Sequence, residues 1–229
     1  MINHRQHSSS ALLAILLLGS LWGLSEVALD PALRLSPGLP RSGILVGVGA
    51  LCLGAALGYG RRAFLLPLAA LIPILIKQLA VPLRGAAPVC DANACLAVGL
   101  EGLALAGAAA LTAGRSGRLT VVRLAAGAGI AAVLAAATFQ VLGSRLYPCP
   151  YLLSFGTGAA GLARFTVGEG LIWAAMGAVA FPAGVRLGEL ARQRIAALAA
   201  RRRPAVAMAG AAVTAMSWLA AAWVIAAIG

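Results

Sequence analysis

The sequence predicts an all-α, polytopic transmembrane helix bundle, and three observations carry that prediction. Hydrophobic residues make up 62% of the chain and charged residues only 10%, against roughly 25% charged in an ordinary soluble domain. Apolar windows of about twenty residues recur, each long enough to cross a hydrocarbon core of roughly 30 Å at about 1.5 Å per residue. Between them stand short clusters of Arg, Pro and Gly, which leave nothing for a soluble domain, so residues 1–229 read as a single integral membrane domain.

Seven helices follow in order. The first, over 11–29, contains "ALLAILLLGSLWGLSEVAL". It is longer than the apolar part of a signal peptide, carries Glu26 and lacks a small-x-small cleavage site, so it reads as a membrane helix. The second, over 43–60, repeats small residues at a spacing of four: Gly43 and Gly47, then Ala50, Gly54 and Gly58. That spacing lets two helices approach closely. The third (63–83) and fourth (94–113) are apolar runs interrupted by Lys77 and Glu101, and the fifth (119–142) is rich in alanine. The sixth, over 156–184, begins within "SFGTGAAGLARFTVGEG", whose glycines and arginine predict a broken or partly re-entrant helix. Such irregular backbone is tolerated at membrane depth only inside protein or beside a water-filled cavity. The seventh, over 205–228, adds a C-terminal helix to a six-helix core. Between the last two, in 186–203, Leu187, Leu190, Ile195 and Leu198 share roughly one face with arginines around the remainder. This is the pattern of an amphipathic, basic segment lying at a membrane surface.

A net charge of +12 raises nucleic acid as a partner, but the arginines fall at the ends of apolar windows and form no basic face on a soluble fold. They read as topology signals. One side of the bundle collects Arg5, Arg61, Arg62, Arg115, Arg118, Arg123, Arg186, Arg192, Arg194 and Arg201 to Arg203, and the other only Arg34, Arg41, Arg84 and Arg145. The excess of positive charge marks the cytoplasmic side. The expectation is a multi-pass protein of a bacterial inner (cytoplasmic) membrane, with its N-terminus and the 186–203 segment cytoplasmic.

Ionisable groups within a span cost about 2.5 to 3.5 kcal/mol each and need partners or water. Five stand out: Glu26, Lys77, Glu101, Arg164 and Glu169, with Lys77 the only lysine of the chain. In the orientation above, the first four lie roughly 6 to 12 Å below the outer surface by helical rise, and Glu169 lies deeper. Together with Gln78 they predict an outward-facing cavity that binds a small polar or anionic solute. The plainer alternative is a Lys77–Glu101 pair that ties two helices together.

Cys52 reads as a small apolar residue of the second helix. Cys90, Cys95 and Cys149 fall in the outer loops "APVCDANAC" and "LYPCPY", where an oxidising environment favours a disulfide from Cys149 to Cys90 or Cys95. No histidine accompanies them on that side, so no metal site is expected. With no Ser–His constellation and no phosphate loop, the chain offers no catalytic residue and no cofactor site. A thiol/disulfide redox protein built on the outer cysteines is the alternative to transport, and a non-transporting membrane scaffold is a third reading.

The stretches "LLGSLWGLSEVAL", "LPRSGILVGVGALCLG" and "LIKQLAVPLRG…ACLAVGLEGLAL" cover about the first half of the chain, and their pattern resembles the substrate-binding S components of energy-coupling factor (ECF) transporters. The resemblance implies a bundle of mostly six Ala- and Gly-rich helices that binds a vitamin or metal ion from outside. It also implies no ATPase of its own, and dependence on a membrane-embedded T component and cytoplasmic ATPases. Two departures stand out: the first helix offers only Ser10 and Ala14 in place of an Ala-x-x-x-Ala contact motif, and the seventh helix is extra.

Overall fold

The structure, a computed structural model, describes the backbone of residues 2–36, 38–84, 88–113 and 120–228, and within these the side chains of 11–36, 38–83, 92–112, 120–198 and 204–227. Every regular element among the described residues is helical: α1 (Ile2–Arg34), α2 (Arg41–Gly60), α3 (Leu66–Gln78), α4 (Ala80–Arg84), α5 (Pro88–Ala113), α6 (Val121–Leu146), α7 (Pro150–Ser154), α8 (Gly158–Phe165) and α9 (Leu171–Ile228). A 3₁₀ turn, Ala63–Leu65, leads into α3, and a π turn, Thr166–Gly170, joins α8 to α9. Among the described residues, seven segments are long and apolar enough to cross a bilayer. The chain is a multi-pass integral membrane protein.

The helix boundaries have local causes. Arg61 ends α2 in the left-handed region (φ 53°), its N–H bonded to the Leu57 carbonyl. Thr120 caps α6 by accepting from the Arg123 N–H. Proline has no N–H to donate four residues back, so Pro82 leaves the Gln78 carbonyl without its helical partner. The chain responds by ending α3 at Gln78, tightening Leu79 onto the Ile76 carbonyl, and restarting as α4.

α2 lies at the centre of the bundle, and its closest neighbour is the first half of α9. A Cβ at Gly54 or Gly58 would overlap the carbonyl of Phe181 or Val185, and one at Gly184 or Gly188 would overlap that of Leu51 or Ala55. The two backbones therefore touch along two turns, with no side chain between them. Further along the same face Gly43 and Gly47 receive Ile172 and Met176. The small-residue spacing in α2 is thus a packing surface, and its counterpart, Gly184 and Gly188, lies at the same spacing on α9.

The expected break in the sixth helix is milder than predicted. The "TVGEG" stretch stays helical but widens to a π turn, while the chain reversal falls earlier, at Gly156 (φ +87°) and Gly158 (φ +69°). The sixth and seventh helices also follow one another with no non-helical residue between them, together forming α9. Its first half packs Ile172 on Gly43 and Phe181 on Gly54, parallel to α2. Its second half packs Gly210 on Leu13 and Trp218 on Ser20, parallel to α1. Ala11 meets Gly60 and Trp22 meets Gly49, so α1 and α2 are antiparallel. The two halves of α9 therefore run in opposite directions, and the chain doubles back between Gly188 and Gly210, a stretch that contains Pro204. Residues 186–198 of the amphipathic segment belong to the first half of α9, with Leu187, Leu190 and Leu198 exposed and Ile195 half-buried.

Candidate functional site

One end of the bundle, marked by Asp30 and Arg41, gathers the Glu26–Lys77, Asp30–Arg41 and Ser42–Glu169 contacts. α1 contributes Trp22, Glu26 and Asp30, spaced by four and so stacked on one helical face. Glu26 is buried and both of its oxygens are engaged: Oε1 accepts from Trp22 Nε1 at 3.2 Å, and Oε2 pairs with Lys77 Nζ at 2.9 Å. The pair is nearly dry, the two side chains being 11% and 6% exposed for Lys77 and Glu26. Lys77 stands on the last turn of α3, next to the Leu79 interruption. Asp30 is held by Arg34 at 3.0 Å and by Arg41 from the start of α2.

Lys77 therefore pairs with Glu26 and not with Glu101, which corrects the expected tie between the third and fourth helices. Level position on neighbouring helices did not decide the partner; the shared interior face of α1 and α3 did. Glu101, on α5, is buried at 3% exposure, and its Oε1 has no hydrogen-bond partner among the described residues. It faces Trp22 and α2. A Cβ at Gly49 would stand 2.6 Å from Trp22 Cζ2 and 2.7 Å from Glu101 Oε1, so this glycine makes the room in which indole and carboxylate meet. Glu26 and Glu101 act on each other electrostatically across this space.

Glu169 sits in the π turn, half-buried, and accepts a hydrogen bond from the Ser42 hydroxyl. Ser42 follows Arg41, so the π turn connects through the start of α2 to Asp30. Around the same turn five aromatic rings pack together: Phe139, Tyr151, Phe155, Phe165 and Trp173. Tyr151 keeps one side of its ring exposed while its hydroxyl is withdrawn beside Glu169. Loss of hydration and then the Glu169 carboxylate hold its phenol above the usual tyrosine range.

Of the six solute-site residues expected from the sequence, Glu26, Lys77 and Glu101 come together, and Glu169 joins them at one remove through Ser42 and Arg41. Gln78 is exposed and donates to Cys95 Sγ at 3.2 Å. Arg164 is exposed on α8, away from the group. Trp22, Asp30, Arg41, Ser42, Gly49 and Tyr151 are additional members. The four-residue spacing of Trp22, Glu26 and Asp30 was the readable signal for the first two.

The expected disulfide is not formed. Cys149 is a free thiol, packed beside the aromatic cluster of Phe139, Phe165 and Trp173, whereas Cys95 lies on α5 toward Gln78. α5 begins at Pro88, so Cys90 and Cys95 stand on a helix and not in a loop that could fold over Cys149. The side chain of Cys90 lies outside the described residues, as do those of Arg5, Arg84, Arg115, Arg118 and Arg201 to Arg203 from the orientation argument.

Comparison with protein-family models, with curated proteins and with solved structures returns no match.

Proposed function

We propose that this integral membrane protein binds and helps to move a small polar solute at the Glu26–Lys77–Glu101 site. The observation that carries the reading is the Glu101 carboxylate, buried between Trp22 and Gly49 with an oxygen that no described group satisfies. A buried acceptor without a partner costs about 1 to 3 kcal/mol, more if charged. Something outside the described groups supplies the missing donor, and the reading assigns that part to a bound solute. Lys77, the natural anchor for an anionic solute, is already engaged by Glu26 at 2.9 Å. The complementary group is therefore a cation or an N–H or O–H donor. An anion would have to separate Lys77 from Glu26.

Two interruptions of regular helix, at Leu79 and at the π turn, flank this end of the bundle. Transport proteins build solute sites at discontinuous helices, and π turns recur at functional positions. On this reading the protein is an S-component-like solute binder that hydrolyses nothing itself, and a T component and cytoplasmic ATPases supply the energy. The arginine distribution orients it with the N-terminus in the cytoplasm and the Asp30–Arg41 end outward.

The test is a thermal-shift screen of the purified chain in detergent against small amines, vitamins, metal ions and carboxylates, repeated on Glu101→Gln. That substitution keeps shape and removes the charge. The expected result is a stabilising solute with a cationic or donor group, whose effect vanishes in the variant. A solute that stabilises wild type and Glu101→Gln equally, or no stabilising solute at all, overturns the reading.

A further inference from the structure

The three ionisable groups of the Glu26–Lys77–Glu101 site do not balance. Glu26 and Lys77 neutralise each other at 2.9 Å, and Glu101 has no ion-pair partner among the described residues. The two arginines at this end, Arg34 and Arg41, are both held by Asp30. One positive charge is missing. Building on the reading of this group as a solute site, we infer that Glu101 carries a proton in the solute-free protein, and that the solute is a small organic ammonium whose charge takes the proton's place.

The proton belongs on Glu101 because its surroundings supply no other counter-charge. Glu26 faces it from α1 and the Cys52 thiol from α2, while Lys77 on α3 is already bound to Glu26. α6 carries its charges, Arg123 and Arg145, only near its two ends. An unpaired carboxylate at 3% exposure is too costly to keep ionised, and such a group takes up a proton instead. Glu26 is the wrong place for it. Both Glu26 oxygens accept from donors, Trp22 Nε1 and Lys77 Nζ, so a proton there would disrupt the ammonium pair. Space makes the same choice. A Cβ on Gly49 would stand 2.7 Å from Glu101 Oε1 and 2.6 Å from Trp22 Cζ2, so on this side of the oxygen there is no room for one more carbon atom. A proton needs none, whereas an ammonium enters by moving these groups apart.

The exchange balances in charge. The O–H bond of the Glu101 carboxyl breaks, the proton passes to solution, and the carboxylate left behind pairs with the incoming ammonium. A neutral donor would bind the protonated acid and release nothing. A bare metal ion fits poorly, because it takes roughly six oxygen ligands and the Glu26 oxygens are already engaged. An ammonium donates to one carboxylate and is compatible with the neighbouring Trp22 ring. Since one proton leaves for each ammonium bound, affinity rises about tenfold per pH unit.

The experiment uses the full chain purified in a neutral detergent and sodium-free buffer, with Glu101→Gln as the variant. The probes are methylammonium and sodium, both of which keep their charge between about pH 6 and pH 8. Infrared difference spectra detect the C=O stretch of a protonated carboxyl, and a pH electrode in weak buffer counts released protons. The expected result is a protonated-carboxyl band in solute-free wild type that is missing from Glu101→Gln, and that methylammonium removes from wild type with release of one proton per site. That removal is read on the unaltered chain, so it does not depend on how the variant folds. Absence of the band in solute-free wild type, or a band that methylammonium leaves in place, overturns the inference. Sodium removing it as readily as methylammonium overturns the ammonium assignment. A solute that stabilises wild type and not Glu101→Gln, with the same affinity at both ends of the pH range, overturns the proton exchange and leaves the solute site standing. A screen that finds no stabilising solute overturns the site reading, and this inference with it.

Discussion

Replacing Lys77 by methionine removes one charge of a nearly dry ion pair and leaves the rest of its surroundings in place. At 2.9 Å and an effective dielectric of about 20, the attraction between Lys77 and Glu26 is about 6 kcal/mol before desolvation is subtracted. Most of that gain only offsets the removal of two charges from water, so the intact pair adds little net stability. The single variant is another matter. Glu26 stays buried with the Trp22 N–H as its remaining partner and with Asp30 one turn further along α1. Breaking a buried pair in this way costs about 3 to 5 kcal/mol. For a chain of this length that is roughly 6 to 20 °C in midpoint, on the scaling of soluble domains. Thermal unfolding in detergent, followed by tryptophan fluorescence, measures the effect, with Trp22 reporting on Glu26 directly. In the double variant Lys77→Met with Glu26→Gln, no unpaired charge remains, and stability returns to within about 1 kcal/mol of wild type. A Lys77→Met protein as stable as wild type, or a double variant whose cost is the sum of the two single costs, would refute the reasoning.

Two further outcomes follow from the packing and from the π turn. Gly58→Ala drives a methyl group into the Val185 carbonyl and lowers stability by about 1 to 3 kcal/mol in the same assay, whereas Gly107→Ala, with nothing within 4 Å, raises it by roughly 0.5 to 1 kcal/mol. Tyr151 holds its proton more tightly in the folded protein than in the unfolded chain. Its contribution to stability is therefore complete below the ordinary tyrosine value of about 10 and is lost as pH rises through the folded-state value. Tyrosinate absorbance, with Tyr151→Phe as the blank, will show this ionisation moving to lower pH in Glu169→Gln.

Span length and hydropathy carried the bundle, because an apolar window of twenty residues has few alternatives to a membrane helix. They did not carry helix ends. α5 reaches back to Pro88 through Cys90 and Asp91, residues that hydropathy assigns to a loop. α1 likewise runs on to Arg34 because Asp30, paired four residues along, supports its last turn. The small residues of α2 were readable as a contact face. Their partner was not, since Gly184 and Gly188 fall where the sixth window gives way to an arginine-rich stretch.

For the charged residues, the sequence gives a position along each helix and not a facing direction. Glu26, Lys77 and Glu101 lie near one another in the structure, but which two pair depends on rotation about three helix axes, and that is set by contacts such as Trp22 on Gly49 and Ile72 on Gly19. Arg164 had a comparable depth and faces outward. These rotations also explain how the bundle divides its labour. The α2–α9 contact is backbone against backbone from Gly54 to Gly188, an interface with no side chains to repack, and it holds that end as one rigid pair. At the opposite end the α3 interruption and the π turn leave backbone that is not locked in a regular ladder, and every member of the Glu26–Lys77, Asp30–Arg41 and Ser42–Glu169 groups sits on or beside it. Under the proposed function, a solute donor reaching Glu101 would act on the end of the bundle that holds these polar contacts, while the glycine contact keeps the far end fixed.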